Sequence, residues 1–159
     1  MVFKIDRVDC RIVNLLMQDG RLTASEIARS VGGISERAVR YRMDRMISAG
    51  LIQVRAIVNP KALGYSVIAD VFIEVESGLI DEVARKLAGY GFVSYVATSI
   101  GERDISVQLI ASNNSEVYKY VTEVIGKIPG VRKTTTSIVP QTLKDIYQWS
   151  IPEGDCQGD

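Results

Sequence analysis

The chain has no histidine and only two cysteines in 159 residues. Without imidazole, a Ser-His-Asp triad, a Cys-His pair and any His-ligated metal site are excluded. Catalysis, if any, would have to rest on carboxylates, Lys, Tyr or Cys. Cys10 and Cys156 stand at opposite ends of the chain, at no metal-ligand spacing and without the density of a disulfide framework. They read as one packed thiol and one tail thiol, and neither a metal nor a cofactor is expected. No apolar run approaches the roughly 18–20 residues of a membrane span. The opening MVFKIDRVDCR is too charged for the apolar stretch of a signal peptide. The expectation is a cytoplasmic protein with no membrane partner. Apolar residues, at 47%, are numerous enough for a real core, and the length suits one ordinary domain or two small ones.

The zero net charge conceals an asymmetry. Residues 1–61 carry 11 Lys/Arg against 6 Asp/Glu, whereas residues 62–159 carry 8 against 13. A basic first part suits a polyanionic partner, and the acidic remainder must serve another purpose.

The basic part divides into three short helical patterns. Asp6 and Asp9 open the first, where acids suit the free N–H groups and the helix dipole; Val8, Ile12, Leu15 and Leu16 follow at helical spacing up to Gly20. Thr23 and Glu26 have capping-box spacing ahead of Ile27 and Val31, and Gly32-Gly33 breaks the chain. Ser35 caps a third helix that ends near Gly50, with Val39, Met43, Met46 and Ile47 as its buried stripe. Three short helices with a glycine turn before the third are the organisation of a helix-turn-helix. The third helix carries Arg37, Arg40, Arg42 and Arg45, and the planar guanidinium fork grips guanine edges or phosphates with two bonds. Behind the Ser35 cap, Glu36, Arg37, Arg40 and Tyr41 are expected in the major groove of double-stranded DNA, and Arg42 and Arg45 on phosphates.

The stretch from Ile5 to Gly64 resembles the Lrp/AsnC (feast/famine) family of transcription regulators. The matching residues are Ile5-Asp6 and Asp9-Cys10-Arg11-Ile12, Asp19-Gly20-Arg21, Glu26-Ile27-Ala28, Ile34 through Arg42, and Ala49-Gly50-Leu51-Ile52. The family commonly has a single Gly and an apolar residue before the Ser; here Gly32-Gly33-Ile34 makes the turn one residue longer.

Ile52 to Val58 alternates as a strand, ended by Asn59-Pro60. The resemblance makes this a hinge strand pairing with its two-fold mate, and so implies a homodimer or an assembly of dimers. From Ser66 onward the pattern is strand (Val67 to Val75), helix (Leu79 to Leu87), strand (Phe92 to Ser99), strand (Ile105 to Ala111), helix (started by Ser112-Asn113-Asn114 and bearing Val117, Val121, Val124 and Ile128) and strand (Val131 to Val139). This βαββαβ order is ferredoxin-like; its helices cover one sheet face, and Ile68 and Phe72 favour a subunit interface on the other. The expected fold class is therefore α+β: an N-terminal (winged) helix-turn-helix followed by a ferredoxin-like βαββαβ domain. The expected segments are 1–51 (DNA binding), 52–64 (hinge strand and linker), 65–140 (effector binding and oligomerisation) and 141–159 (C-terminal tail). In that tail Ile146, Tyr147, Trp149 and Ile151 are expected to pack on the sheet or a neighbour, with fraying after Pro152.

Two further matches extend the resemblance to roughly residues 5–145: the Gly-x-x-Asp turn Gly101 to Asp104, and Ile128-Pro129-Gly130-Val131 with Thr134 to Val139 and Lys144. The resemblance implies an amino acid or related metabolite as effector, bound where subunits meet. Carried over, its residues are Thr98, Ser99, Gly101, Arg103 and Asp104, with backbone N–H groups and Arg103 on a carboxylate and Asp104 on an ammonium. The position before the Asp is often aromatic in the family and is Arg103 here. The alternative is a plain hairpin turn in which Asp104 satisfies nearby N–H groups.

The reading is a sequence-specific regulator and not an enzyme. The sirohaem decarboxylases, which resemble this family, rely on histidines that this chain lacks. The alternatives are an architectural DNA-binding protein of weak specificity, and a ligand-binding oligomer with a vestigial helix-turn-helix.

Overall fold

A computed structural model describes residues 4–152 and Cys156. Three helices form first: α1 (Arg7–Gln18), α2 (Ala24–Val31) and α3 (Glu36–Ser48). Each start follows the local chemistry. Asp6 accepts from the Asp9 amide at 2.8 Å, and Asp9 returns the bond to the Asp6 amide. Thr23 Oγ1 accepts from the Glu26 amide at 3.2 Å, and the Glu26 carboxylate accepts from the Thr23 amide at 2.8 Å. That amide bond, with a second from the Thr23 hydroxyl, holds the Glu26 carboxyl below its ordinary pKa. Ser35 Oγ accepts from the Ala38 amide at 3.2 Å. Between α2 and α3, Gly32 and Gly33 both take positive φ, a conformation glycine adopts without a Cβ penalty, and so the longer turn is accommodated.

Ile12, Val13, Ile27, Val31, Val39 and Met46 are buried together, with Val8, Leu15, Leu16 and Met43 packed against them. Ile47, read as part of this stripe, is instead exposed. It follows the buried Met46 directly, and about 100° of helical rotation carries it past the edge of the stripe.

The chain forms two units. The first holds the residues through Ile57 and takes back the tail from Leu143 onward; the second is Val58–Thr142. The tail is thus not a separate segment. Ile151 packs against the helix-turn-helix core, whereas Ile146, Tyr147 and Trp149 are exposed around a short 3-10 turn, Ile146–Gln148, capped by Asp145. The fraying expected after Pro152 falls outside the described residues, apart from Cys156. The cysteines also differ from expectation: Cys10 and Cys156 form a disulfide across a separation of 146 residues, with their Cα atoms 6.1 Å apart. Return of the tail to the first unit brings together what sequence distance kept apart.

Residues 52–58 join no strand among the described residues of the single chain; the pairing expected of the hinge strand is with a second copy. Their alternation is real, but a lone segment has no ladder to join.

In the second unit β1 (Val67–Val75), α4 (Ile80–Ala88), β2 (Val93–Thr98), β3 (Ile105–Ala111), α5 (Asn114–Lys119) and β4 (Val131–Val139) follow the βαββαβ order. After α5 the chain continues through a π turn, Tyr120–Val124, and a 3-10 turn, Ile125–Lys127. The sheet order is β2-β3-β1-β4, antiparallel throughout. Ala69, Val71, Ile73 and Val75 of β1 and Ile105, Val107, Leu109 and Ala111 of β3 are buried on one face, with Val83, Leu87, Val117, Val121 and Ile125 from the helical side. Ile68, Asp70, Phe72 and Glu74 point to the other face, only half-buried.

Candidate nucleic-acid interface

The side chains of α3 divide by what they touch. Asp9 of α1 is fully buried, and a buried carboxylate needs partners. It receives Arg42 at 2.8 Å and Arg45 at 2.6 Å, and Arg42 also reaches Asp6 at 2.6 Å. Burial opposes ionisation of Asp6, but the Asp9 amide and the Arg42 guanidinium outweigh it and hold its carboxyl below the usual value. The Asp6 and Asp9 carboxylates raise the Arg42 pKa in turn. These bonds span 33 to 36 residues and fix α3 against α1. Arg42 and Arg45, expected on phosphates, are thus engaged by the carboxylates of α1. Their guanidinium groups answer the buried charge of Asp9, which would otherwise stand unpaired.

The remaining expected residues lie on the open side. Ser35, Glu36, Arg37, Arg40 and Tyr41 are all exposed, with Tyr41 at 69%. Arg40 pairs with Glu36 one turn earlier on this surface. Arg37 makes no hydrogen bond or ion pair among the described residues. The N-terminal half of α3 thus presents two guanidinium groups, a carboxylate and a phenol on its exposed side.

In the second unit the Gly101 to Asp104 turn joins β2 to β3. Asp104 is only half exposed, and its groups are engaged: Oδ2 accepts from the Val75 amide at 2.7 Å, its amide donates to the Ile73 carbonyl at 3.0 Å, and its carbonyl accepts from the Ser99 amide at 2.8 Å. The carboxylate serves as one more rung of the β1–β3 ladder beyond Ile105. One oxygen of Asp104 and the amide of Ser99 are therefore already committed to the fold, while Thr98, Ser99 and Gly101 otherwise stand exposed. The Arg103 guanidinium lies 4.5 Å from the centre of the Phe72 ring, on the sheet face opposite the helices. This cation–π contact, the Asp9 clamp and the disulfide were missed in the sequence. The clamp had a signal, two acids in the first turn of α1, which were read only as helix-dipole partners.

Among the described residues no cluster of His, Cys, Asp or Glu could hold a metal ion, and no helix is long and apolar enough to cross a membrane.

A basic recognition helix joined to a ferredoxin-like unit defines the class as two-domain helix-turn-helix regulators. The model of the AsnC-type helix-turn-helix domain matches residues 5–47, and that of the Lrp/AsnC ligand binding domain matches residues 68–149. The chain is 36% identical over 152 residues to the HTH-type transcriptional regulator FL11 of Pyrococcus abyssi, covering 95% of this chain and 99% of that one. It is 35% identical over 141 residues to the HTH-type transcriptional regulator LrpA of Pyrococcus horikoshii, with 88% and 99% covered. Among solved structures, AsnC of E. coli superposes with a TM-score of 0.83 at 26% identity, over 91% of this chain and 99% of that one. A Neisseria meningitidis transcriptional regulator solved with L-Met shares the fold, with a TM-score of 0.84 at 22% identity over 94% and 97% of the chains. The chain belongs to the Lrp/AsnC family: it is a transcriptional regulator with a ligand-binding domain.

Proposed function

We propose that the chain recognises specific double-stranded DNA through the exposed half of α3, as a homodimer or an assembly of dimers, and that an amino acid or related metabolite bound by the second unit modulates it. The observation that carries the reading is the division of the α3 arginines. Arg42 and Arg45 are held by Asp6 and Asp9, and this leaves Arg37 and Arg40, with Glu36 and Tyr41, facing outward behind the Ser35 cap. A guanidinium aimed by a carboxylate one turn away is suited to a guanine edge, while the carboxylate accepts from a cytosine amine. Phosphate contacts supply most of the affinity, and these four side chains supply the preference.

Dimerisation is supported by the linker. Val54, Ile57 and Val58 are each more than half exposed on a segment with period-2 alternation and no strand partner among the described residues. Pairing with a second copy would complete its ladder. The effector is placed near the β2–β3 turn, at Thr98, Ser99, Gly101 and Arg103, with Asp104 shaping the turn and offering its remaining oxygen to an ammonium. The bound L-Met belongs to the Neisseria protein; here it supports the choice of amino acids as the first compounds to screen.

The test is a titration of the protein onto DNA from upstream of its own gene beside a scrambled duplex, at two salt concentrations. Selective binding that persists at the higher salt is the expected result. Equal binding to both duplexes that vanishes with salt would replace the reading with an architectural one.

A further inference from the structure

The cysteine pair has no part in the recognition surface, yet it closes the longest covalent loop the chain can make. Cys10 stands three residues from Val13, about 60° round α1 from the near edge of the stripe that packs on the other helices. It is nonetheless 4% exposed, and its bonded neighbour is Cys156 of the returning tail. One turn further along α1, Asn14 keeps a buried side-chain oxygen that has no hydrogen-bond partner among the described residues. Among the described residues of the tail, Ile151 packs against the helix-turn-helix core.

We propose that Cys10–Cys156 is a redox latch whose state sets how firmly the tail is held on the DNA-binding unit, and through that how tightly this unit binds DNA. The chain leaves the first unit after Ile57 and returns to it at Leu143. With the latch closed, both crossings end on a fixed body. With it open, the tail loses its covalent anchor on α1, and the three helices lose a restraint that closes a loop of 146 residues in sequence separation.

The chemistry is thiol–disulfide exchange. A dithiol reductant attacks Sγ of Cys156, the less buried of the two sulfurs, and releases Cys10 as a thiolate that takes up a proton. The second thiol of the reductant then displaces Cys156 as a thiol and leaves as the cyclic disulfide. Closure runs in reverse, with a low-molecular-weight disulfide as oxidant, reduced to two thiols as the protein disulfide forms.

The DNA output rests on the function proposed above; the latch itself does not. The experiment compares full-length protein equilibrated with oxidised glutathione against the same protein in dithiothreitol, with Cys156→Ser and Cys10→Ser beside them. Alkylation after denaturation counts thiols, thermal unfolding reports the restraint, and titration onto the upstream duplex reports the output. The oxidised protein is expected to show no free thiol. Reduction is expected to expose two, lower the Tm by on the order of 10 °C and weaken DNA binding roughly three- to tenfold. Both variants should match the reduced protein and ignore dithiothreitol. Two alkylatable thiols in the oxidised sample, or a Tm indifferent to dithiothreitol, would overturn the latch. A Tm shift with unchanged DNA affinity would overturn its regulatory role and leave a structural staple. If neither state binds the duplex, the proposed function fails, while thiol count and Tm still decide the latch.

Discussion

Replacing Arg42 by Met separates a structural arginine from a reading one. The side chain keeps an unbranched apolar stem and loses both of its carboxylate partners, Asp6 at 2.6 Å and Asp9 at 2.8 Å. Asp9 is fully buried, so the loss leaves its charge with one guanidinium partner, Arg45, in place of two. Hydrogen bonds to charged groups contribute about 1.5–3 kcal/mol each, and breaking a buried pair outright costs about 3–5 kcal/mol. The retained Arg45 contact and the partial exposure of Arg42 place the loss at the lower end, about 2 kcal/mol. For a unit of this size that lowers the Tm by roughly 10 °C. Calorimetry on Arg42→Met reads the shift. DNA titrations well below the new Tm read the salt dependence, which should be unchanged. An Arg42 that touched a phosphate would behave in the opposite way: an unmoved Tm, and a salt slope smaller by about 0.9. That outcome would refute the division of α3 on which the recognition surface rests.

Arg40→Ala removes an exposed side chain paired only with Glu36, so its effect on stability should be within about 0.5 kcal/mol, while binding to the preferred duplex weakens by about 1–3 kcal/mol with relaxed preference at one base pair. Gly130 has φ of 90°, and an added Cβ would stand 2.8 Å from Leu79 Cδ1. Gly130→Ala should therefore destabilise the second unit by about 1–3 kcal/mol, read as a lower denaturant midpoint. Asp6 titrates below its ordinary 3.8 in the folded chain. A lowered folded pKa gives stability that is present above 3.8 and is lost as pH falls through the folded value; Asp6→Asn should flatten the acid limb of the stability profile in that window, and an unchanged limb would assign the loss to other carboxylates.

What the sequence made legible was local. The three helix starts at Asp6, Thr23 and Ser35 depend on side chains two or three residues from the amides they satisfy, and each forms as read. The strands of the second unit followed from period-2 alternation, because β1 and β3 bury one face on the helices. What was not legible depended on partners far along the chain. Nothing near Arg42 announces that its carboxylates lie 33 and 36 residues earlier. The alternation of Ile52 to Val58 was visible, but a strand needs a neighbour and the single chain offers none. Asp104 was read as an ammonium ligand or as a turn acid satisfying nearby N–H groups, whereas one of its oxygens accepts from the amide of Val75 at the end of β1, 29 residues away. The cysteines were judged by separation, which says nothing once the tail folds back on α1.

The central claim, sequence-specific recognition by a two-fold assembly of α3 helices, is tested most directly by selecting bound duplexes from a randomised pool and sequencing them. The account predicts an enriched pseudo-palindrome whose half-sites are centred about 10 base pairs, or a multiple, apart. A pool that stays random after selection, or enriches a single site without two-fold symmetry, would contradict it.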